Sequence, residues 1–404
     1  MKRLVAIGKV VAVIAVVLAA TVVLGARHYQ LPPQRFVTET TRDMATRILG
    51  AYYSSDMDVV LQKTSGYWHG LPDNANRAML PTPVPFVYEN ADEPYLKLLR
   101  EKYNLDEVVA GASSEYEAIL KLGGWVGSQF DHGTDKVVGG HEACDPAALI
   151  EAGKRGGKYW CEIAARLMVH SAASVGLPAR VFTASRDGYT WEHAIAEVWS
   201  NEFGKWFVVD VDFNFVYEHA GVPLSAVELL QQGEALAAAG KLTIRQIAPS
   251  KPSIPPGDAL YVYRYVHLDM RNDWCSRPLQ RGSPAGSDLS TWWYAPEPLA
   301  SHLVTARKHI PDPQTFNWPL NGLWAVSVSG GSANAYPRMA VVAFSPYFEK
   351  FEQDTGAGWE PAAEPLLLTR GTPLRVRAVT SHGWRGPVYE FTGEKLVLSA
   401  RGPG

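Results

Sequence analysis

The sequence predicts an α+β core followed by an all-β sandwich, with a membrane anchor at the N-terminus. Three observations carry that expectation. An apolar run opens the chain, a helix and several strands follow one another between residues 111 and 250, and short strands separated by Gly and Pro turns fill the chain from about residue 313.

Lys2 and Arg3 precede LVAIGKVVAVIAVVLAATVVLGA, which Lys9 alone interrupts, and from Val10 to Ala26 there are 17 uncharged residues. That is near the lower limit for crossing a bilayer and longer than the usual core of a signal peptide, so residues 1–30 read as an uncleaved signal anchor in preference to a cleaved signal. The positive flank belongs on the cytoplasmic side. The bulk of the chain is therefore expected in a periplasmic or extracellular compartment.

Residues 31–110 form a mostly helical lead-in, with EPYLKLLREKY and the Pro-rich LPTPVPF. The core spans 111–250 and closes on the amphipathic PLSAVELLQQGEALAAAG. KPSIPPGD then breaks the pattern, and 251–312 is an aromatic-rich extension. Segments such as LWAVSVSGG, RMAVVAFSP and TPLRVRAVTSHGWRGPVYEF make 313–404 the β-sandwich.

Composition excludes some functions. The 404 residues are 47 % hydrophobic and 11 % aromatic, which suits a folded chain rather than a disordered one. A formal charge of −3 and the lack of any Lys/Arg-dense run beyond the N-terminus leave no electrostatic footprint for nucleic acid. The expected partners are the membrane, through residues 1–30, and a substrate.

Export gives the three cysteines different weights. Cys144 (GGHEACDP) and Cys275 (RNDWCSRP) lie in loop-like stretches, and pairing them would leave Cys161 over. Cys161 follows a Gly156–Gly157 turn and precedes Ile163, Ala164, Leu167, Met168 and Val175 at helical spacing, so it belongs in the first turn of a helix. Unpaired N–H groups and the helix dipole favour a thiolate there. A small buried hydrophobic cysteine is the alternative.

Downstream, SVGLPARVFTAS ends that helix at Gly176, turns at Pro178 and enters a strand. WEHAIAEVW then puts His193 on a strand, and KWFVVDVD puts Asp210 and Asp212 on another, two apart and hence on one face.

The ordered set YWCEIAARLM, GLPARV, WEHAIAEVW and KWFVVDVDFN resembles the transglutaminase-like superfamily of papain-fold cysteine enzymes over roughly residues 110–235. The resemblance implies a papain-like transglutaminase core and a Cys-His-Asp triad: Cys161 as nucleophile, His193 as base, and Asp210 as the group that orients the ring. Asp210 follows Trp206 by a few residues, as in the family, and Asp212 is the alternative acid. The oxyanion donors would be the Cys161 backbone N–H and a second group, with Trp160 and Gln129 as candidates. Glu162 follows Cys161 where the animal cross-linking enzymes have tryptophan, so protein cross-linking is the weaker expectation. The implied activity is amide hydrolysis or acyl transfer through a thioester, on a peptide, protein or glycopeptide, with no cofactor and no metal. The competing function is a non-catalytic envelope or surface protein that binds glycan or protein on the same scaffold.

Other motifs read as structural. HEACD (141–145) has Asp145 where a zinc HExxH needs its second histidine. His132 in FDHGT could border the cleft, but a capping or solvated role is preferred, and His170 has no assigned role. YVYRYVHLDM (261–270) puts Tyr261, Tyr263, Tyr265 and His267 on one strand face, where cross-strand packing is preferred over a binding ladder; WWY (292–294) carries the same two readings. The end of the chain resembles the last strands of the immunoglobulin- or fibronectin-like modules of extracellular bacterial proteins.

Overall fold

The computed structural model describes residues 16–27, 33–34, 37, 86–133, 145–186, 192–248, 260–276, 291–294, 308–321, 323–328, 338–343, 345–362, 366–367, 373–392 and 395–400. Residues 16–27 are helical, and Val16, Val17, Leu18, Val23 and Leu24 on them are exposed. Among the described residues no helix is long and apolar enough to cross a membrane; residues 1–15 and 28–30 of the expected anchor lie outside them.

The lead-in supplies helices α1 (Pro94–Lys102) and α2 (Leu105–Val109). Helix α3 (Glu115–Gly127) starts where the Ser114 hydroxyl accepts from the Glu117 N–H, satisfying one of the free donors of its first turn. Strand β1 (Asp131–His132) precedes α4 (Pro146–Lys154), whose first turn is capped by Asp145 Oδ1 accepting from Ala148 N–H. In the HEACD stretch Asp145 is therefore a helix cap; residues 141–144 lie outside the described residues. Strand β2 (Lys158–Tyr159) leads into α5 (Cys161–Ser174).

Strands β3 (Ala179–Ser185), β4 (His193–Ser200) and β5 (Lys205–Val209) follow as an antiparallel meander. Alternation along them feeds two hydrophobic layers. Ala194, Ala196 and Val198 of β4 face one cluster with Ile163, Leu167 and Met168 of α5, while Ile195 and Trp199 face a second with Trp206 and Phe215. Leu167 and Met168 are fully buried, and each such side chain stabilises the packing by about 1.5–3 kcal/mol relative to exposure. Helix α5 thereby holds its first residue at the end of the sheet.

Next come β6 (Phe215–His219), β7 (Val222–Pro223), a helical run through α6 (Ala226–Glu228), a π-turn (Leu229–Gly233) and α7 (Glu234–Ala238), and β8 (Leu242–Gln246). The aromatic-rich segment then adds β9 (Tyr265–Asp269), β10 (Thr291–Tyr294) and β11 (Lys308–His309) to the central sheet, in the order β11-β10-β9-β3-β4-β5. Half of that sheet thus comes from beyond KPSIPPGD. Strand β9 begins only at Tyr265, so Tyr261 and Tyr263 do not share a strand face with Tyr265 and His267. Tyr263 is buried edge-on against Tyr217, and His267 is buried opposite Thr183 and Trp293. Trp292 and Trp293 are buried as well. These aromatic side chains pack the sheet.

A buried ion pair braces β3 to β4. The Arg180 guanidinium donates to Glu197 Oε2, both side chains being wholly buried, and it lies between the rings of Trp206 and Trp318 at 4.1 and 4.4 Å.

The described strands between 323 and 400 form two antiparallel sheets. One contains β12 (Leu323–Val328), β13 (Arg338–Ala343) and β16 (Leu366–Leu367); the other contains β14 (Phe348–Asp354), β15 (Glu360–Pro361), β17 (Leu374–Thr380), β18 (Tyr389–Thr392) and β19 (Lys395–Ala400). Their loop at 381–384 docks on the end of α5, where the Trp384 indole N–H donates to Val175 O at 2.7 Å. Gly176 is required at that contact: its φ is +71°, and a Cβ there would stand 2.3 Å from His382 Nδ1.

Candidate active site

Cys161 is the first residue of α5, with Trp160 as its N-cap in an extended conformation and Glu162 in the first turn. The thiol is partly exposed. Its position at the positive end of a helix follows from local sequence, because Gly156 and Gly157 turn the chain and the apolar face of α5 begins at Ile163.

His193 opens β4 and is 2 % exposed. Its Nε2–H donates to Asp210 Oδ2 at 2.7 Å. Asp210 follows the last residue of β5, and β4 and β5 run antiparallel, so the start of one and the end of the other meet at one end of the sheet. The other Asp210 oxygen accepts from the Phe213 N–H at 2.9 Å, and its backbone exchanges two hydrogen bonds with Phe215. That turn lays the Phe213 ring flat on the imidazole, with centroids 3.9 Å apart and planes 11° from parallel. Asp210 thus restrains the ring at its edge and Phe213 at its face.

One expectation about this segment needs correcting. Asp210 and Asp212 do not share a strand face, because β5 stops at Val209 and residues 211–214 form a turn with Asn214 at φ +66°. The Asn214 side chain holds it by accepting from Ala248 N–H and donating to Ala248 O. The turn, not strand alternation, directs both carboxylates at the site.

Asp212 is bonded elsewhere. Its two oxygens accept from His132 Nδ1 at 2.9 and 3.0 Å. Even so, the sulfur of Cys161, a ring nitrogen of His193 and a carboxylate oxygen of Asp212 lie within 4.8 Å of one another. Among the described residues these three are the side chains grouped closely enough to hold a metal ion, and a thiolate, an imidazole and a carboxylate suit zinc. A cation there must displace the proton that His193 holds tightly.

Burial by itself lowers the proton affinity of His193, but the Asp210 carboxylate, through charge and hydrogen bond, and then the Cys161 sulfur more than offset it, lifting the ring from 6.5 to about 10. An imidazolium beside the sulfur is what a thiolate nucleophile needs. The Asp212 carboxyl is raised by burial and by the nearby Asp210 charge, with His132 and His193 acting against both.

Of the two oxyanion candidates, Trp160 directly precedes Cys161, while the Gln129 amide donates to Trp125 O at 2.9 Å and Ser128 Oγ at 2.9 Å. The Gln129 donors are thus engaged at the end of α3. Cys275 lies with its sulfur 3.7 Å from Nε2 of buried His170; Cys144, its expected partner, is outside the described residues. His132 and Phe213 are the site residues that sequence patterns alone did not mark for a role. The FDHGT context allowed His132 to border the cleft, and nothing in the sequence reading pointed to Phe213.

A helix-borne thiol beside an imidazole that a buried carboxylate orients is an arrangement suited to nucleophilic thiol chemistry. Residues 103–211 match the core model of the transglutaminase-like superfamily, a span that contains Cys161, His193 and Asp210. No curated protein and no solved structure matches the chain.

Proposed function

We propose that the protein is a cysteine-dependent enzyme that cleaves or exchanges an amide through a thioester on Cys161. The observation that carries this reading is the His193 to Asp210 hydrogen bond of 2.7 Å beside a thiol at a helix N-terminus. In the first half-reaction the Cys161 thiolate attacks the amide carbonyl, the C–N bond breaks, and the His193 imidazolium gives its proton to the departing amine. In the second, water or a primary amine attacks the thioester, His193 takes the acceptor's proton and the thiolate leaves. Asp210 keeps the ring oriented and charged in both. Cys161, His193 and Asp210 are the proposed triad, and the Cys161 backbone N–H is the proposed oxyanion donor.

The finer parts of the reading rest on the sequence. Lys2 and Arg3 before the apolar run support an anchored protein whose enzyme domain works outside the cytoplasm, on peptide, protein or glycopeptide amides. The sheets formed by the described strands between 323 and 400 support an immunoglobulin-like module that binds beside the enzyme. A C-terminal reporter that works only outside the cytoplasm tests the location, and activity of a cytoplasm-only reporter overturns it.

The activity is tested by incubating the purified protein with a panel of peptide amides, with and without a primary amine, and measuring released ammonia or amine. Turnover that Cys161→Ala abolishes is expected. Equal background from the wild type and this variant across the panel, with no acyl-enzyme detected by mass spectrometry, overturns the reading.

A further inference from the structure

We propose that His132 is a positioning residue whose bond to Asp212 clamps the chain segment leading into the nucleophile against the turn carrying Asp210, holding the Cys161 sulfur on His193. The inference rests on the thiol-enzyme reading and adds to it a second His–Asp pair.

The argument starts at FDHGT. Strand β1 pairs in parallel with β2, His132 opposite Tyr159, and the Gly133 N–H donates to Tyr159 O at 2.9 Å. A Cβ at Gly133 would come within 2.6 Å of Lys158 Cβ, so the strands approach this closely because residue 133 is glycine. Cys161 begins α5 two residues after Tyr159. His132 is therefore fastened by backbone to the segment that places the nucleophile.

Its side chain reaches the opposite segment. Nδ1 donates to both oxygens of Asp212, two residues after Asp210 on the same turn. The bond spans 80 residues of chain and joins the two stretches whose separation sets the distance from sulfur to imidazole.

Burial indicates why the pair is needed. The Asp212 side chain is 1 % exposed whereas that of His132 is 52 % exposed, so a solvent-facing imidazole covers a buried carboxylate. Asp212 faces Asp210 on its own turn, His132 from β1, His193 from β4 and Cys161 from α5. Without His132, the buried carboxylate would keep the repulsion of Asp210 and lose its donor, leaving His193 and the thiol as its nearest polar groups. It would then compete for the imidazolium that the thiolate requires. A merely structural cap would instead change the melting temperature and leave the chemistry of the thiol alone.

The test is the rate of Cys161 alkylation by iodoacetamide from pH 5 to 10 on the full chain, with the site identified by peptide mapping and the melting temperature recorded for each variant. His132→Ala is expected to slow the reaction at neutral pH about tenfold or more, the scale on which small misplacements of reacting groups act, and to move its profile towards that of an ordinary thiol. His132→Gln, which keeps an N–H donor, should recover most of the rate. Asp212→Ala, which removes the acceptor, should also slow the reaction, and the double variant should be no slower than the slower single one. In a His193→Ala background, His132→Ala should change the rate by less than about twofold, because nothing remains to be positioned.

A His132→Ala profile superimposable on the wild type overturns the clamp, as does an equal fractional loss with and without His193. If His132→Ala fails to fold, Asp212→Ala carries the same comparison. The alkylation needs no substrate, so the two readings fail separately. A wild-type Cys161 with the profile of an ordinary thiol ends the thiol-enzyme reading and the clamp with it, whereas a reactive wild type insensitive to His132 ends the clamp alone.

Discussion

His193 Nε2 and Asp210 Oδ2 are 2.7 Å apart with both side chains almost wholly buried, so the charged ring has one strong partner and very little water. Removing that charge while keeping the shape, as in Asp210→Asn, lowers the proton affinity of His193 and frees its orientation. We expect kcat/KM to fall about 10²-fold or more, with the alkaline limit of activity moving down from the neighbourhood of pH 10. An unchanged alkaline limit in the pH–rate profile would show that Asp210 does not set the charge of the ring.

The same pair links stability to pH. The folded-state value of His193, about 10, lies above its unfolded value near 6.5, since Asp210 and Cys161 together outweigh the cost of burial. A group of this sign contributes stability that is fully present below about pH 6.5 and is lost as the pH rises through about 10. Denaturant melts at pH 6 and pH 10 should show a drop in the wild type that is smaller in His193→Gln. Equal drops would mean that His193 does not carry the linkage.

Phe213 holds the imidazole from its face, at 3.9 Å. Phe213→Ala removes that surface but leaves Asp210 in place, so the ring gains freedom to turn away from the sulfur. The expected result is a loss of about tenfold or more in kcat with a smaller change in KM, since orientation is used in the reacting complex. Phe213→Tyr should retain most of the activity. Steady-state kinetics decide the matter, and a loss confined to KM would move Phe213 to substrate binding.

Glu115 offers a prediction away from the site. In the first turn of α3, its carboxylate accepts from both the backbone N–H and the side-chain amide of Asn201, while burial raises it from 4.5 to about 7 in spite of those bonds. The folded state therefore holds a proton that the unfolded chain releases between about pH 4.5 and 7. Stability from this group is greatest below about pH 4.5 and declines as the pH rises to 7, by about 3 kcal/mol. Glu115→Gln should flatten this part of the stability curve, and chemical denaturation at pH 5 and 7 measures it. A steeper curve in the variant would reverse the sign.

What the sequence determined by itself about this protein is local. The glycine turn before Cys161, the helical spacing of Ile163, Leu167 and Met168 and the alternation of β4 made the helix start and the strand readable, because each depends on residues a few positions apart. The order of Cys161, His193 and Asp210, and the resemblance it carries, was legible for the same reason. Tertiary structure decided the rest. Which carboxylate meets His193 depends on where β5 stops, and that is settled by the 211–214 turn and by Asn214 binding Ala248, 34 residues later. The stack of Phe213 on His193 and the bond from His132 to Asp212 join residues 20 and 80 positions apart, and three strands of the central sheet come from beyond a break in the sequence pattern. Periodicity carries no information about such contacts. They form when the packed sheet and helix α5 bring distant segments to one end of the core, where buried polar groups must find partners.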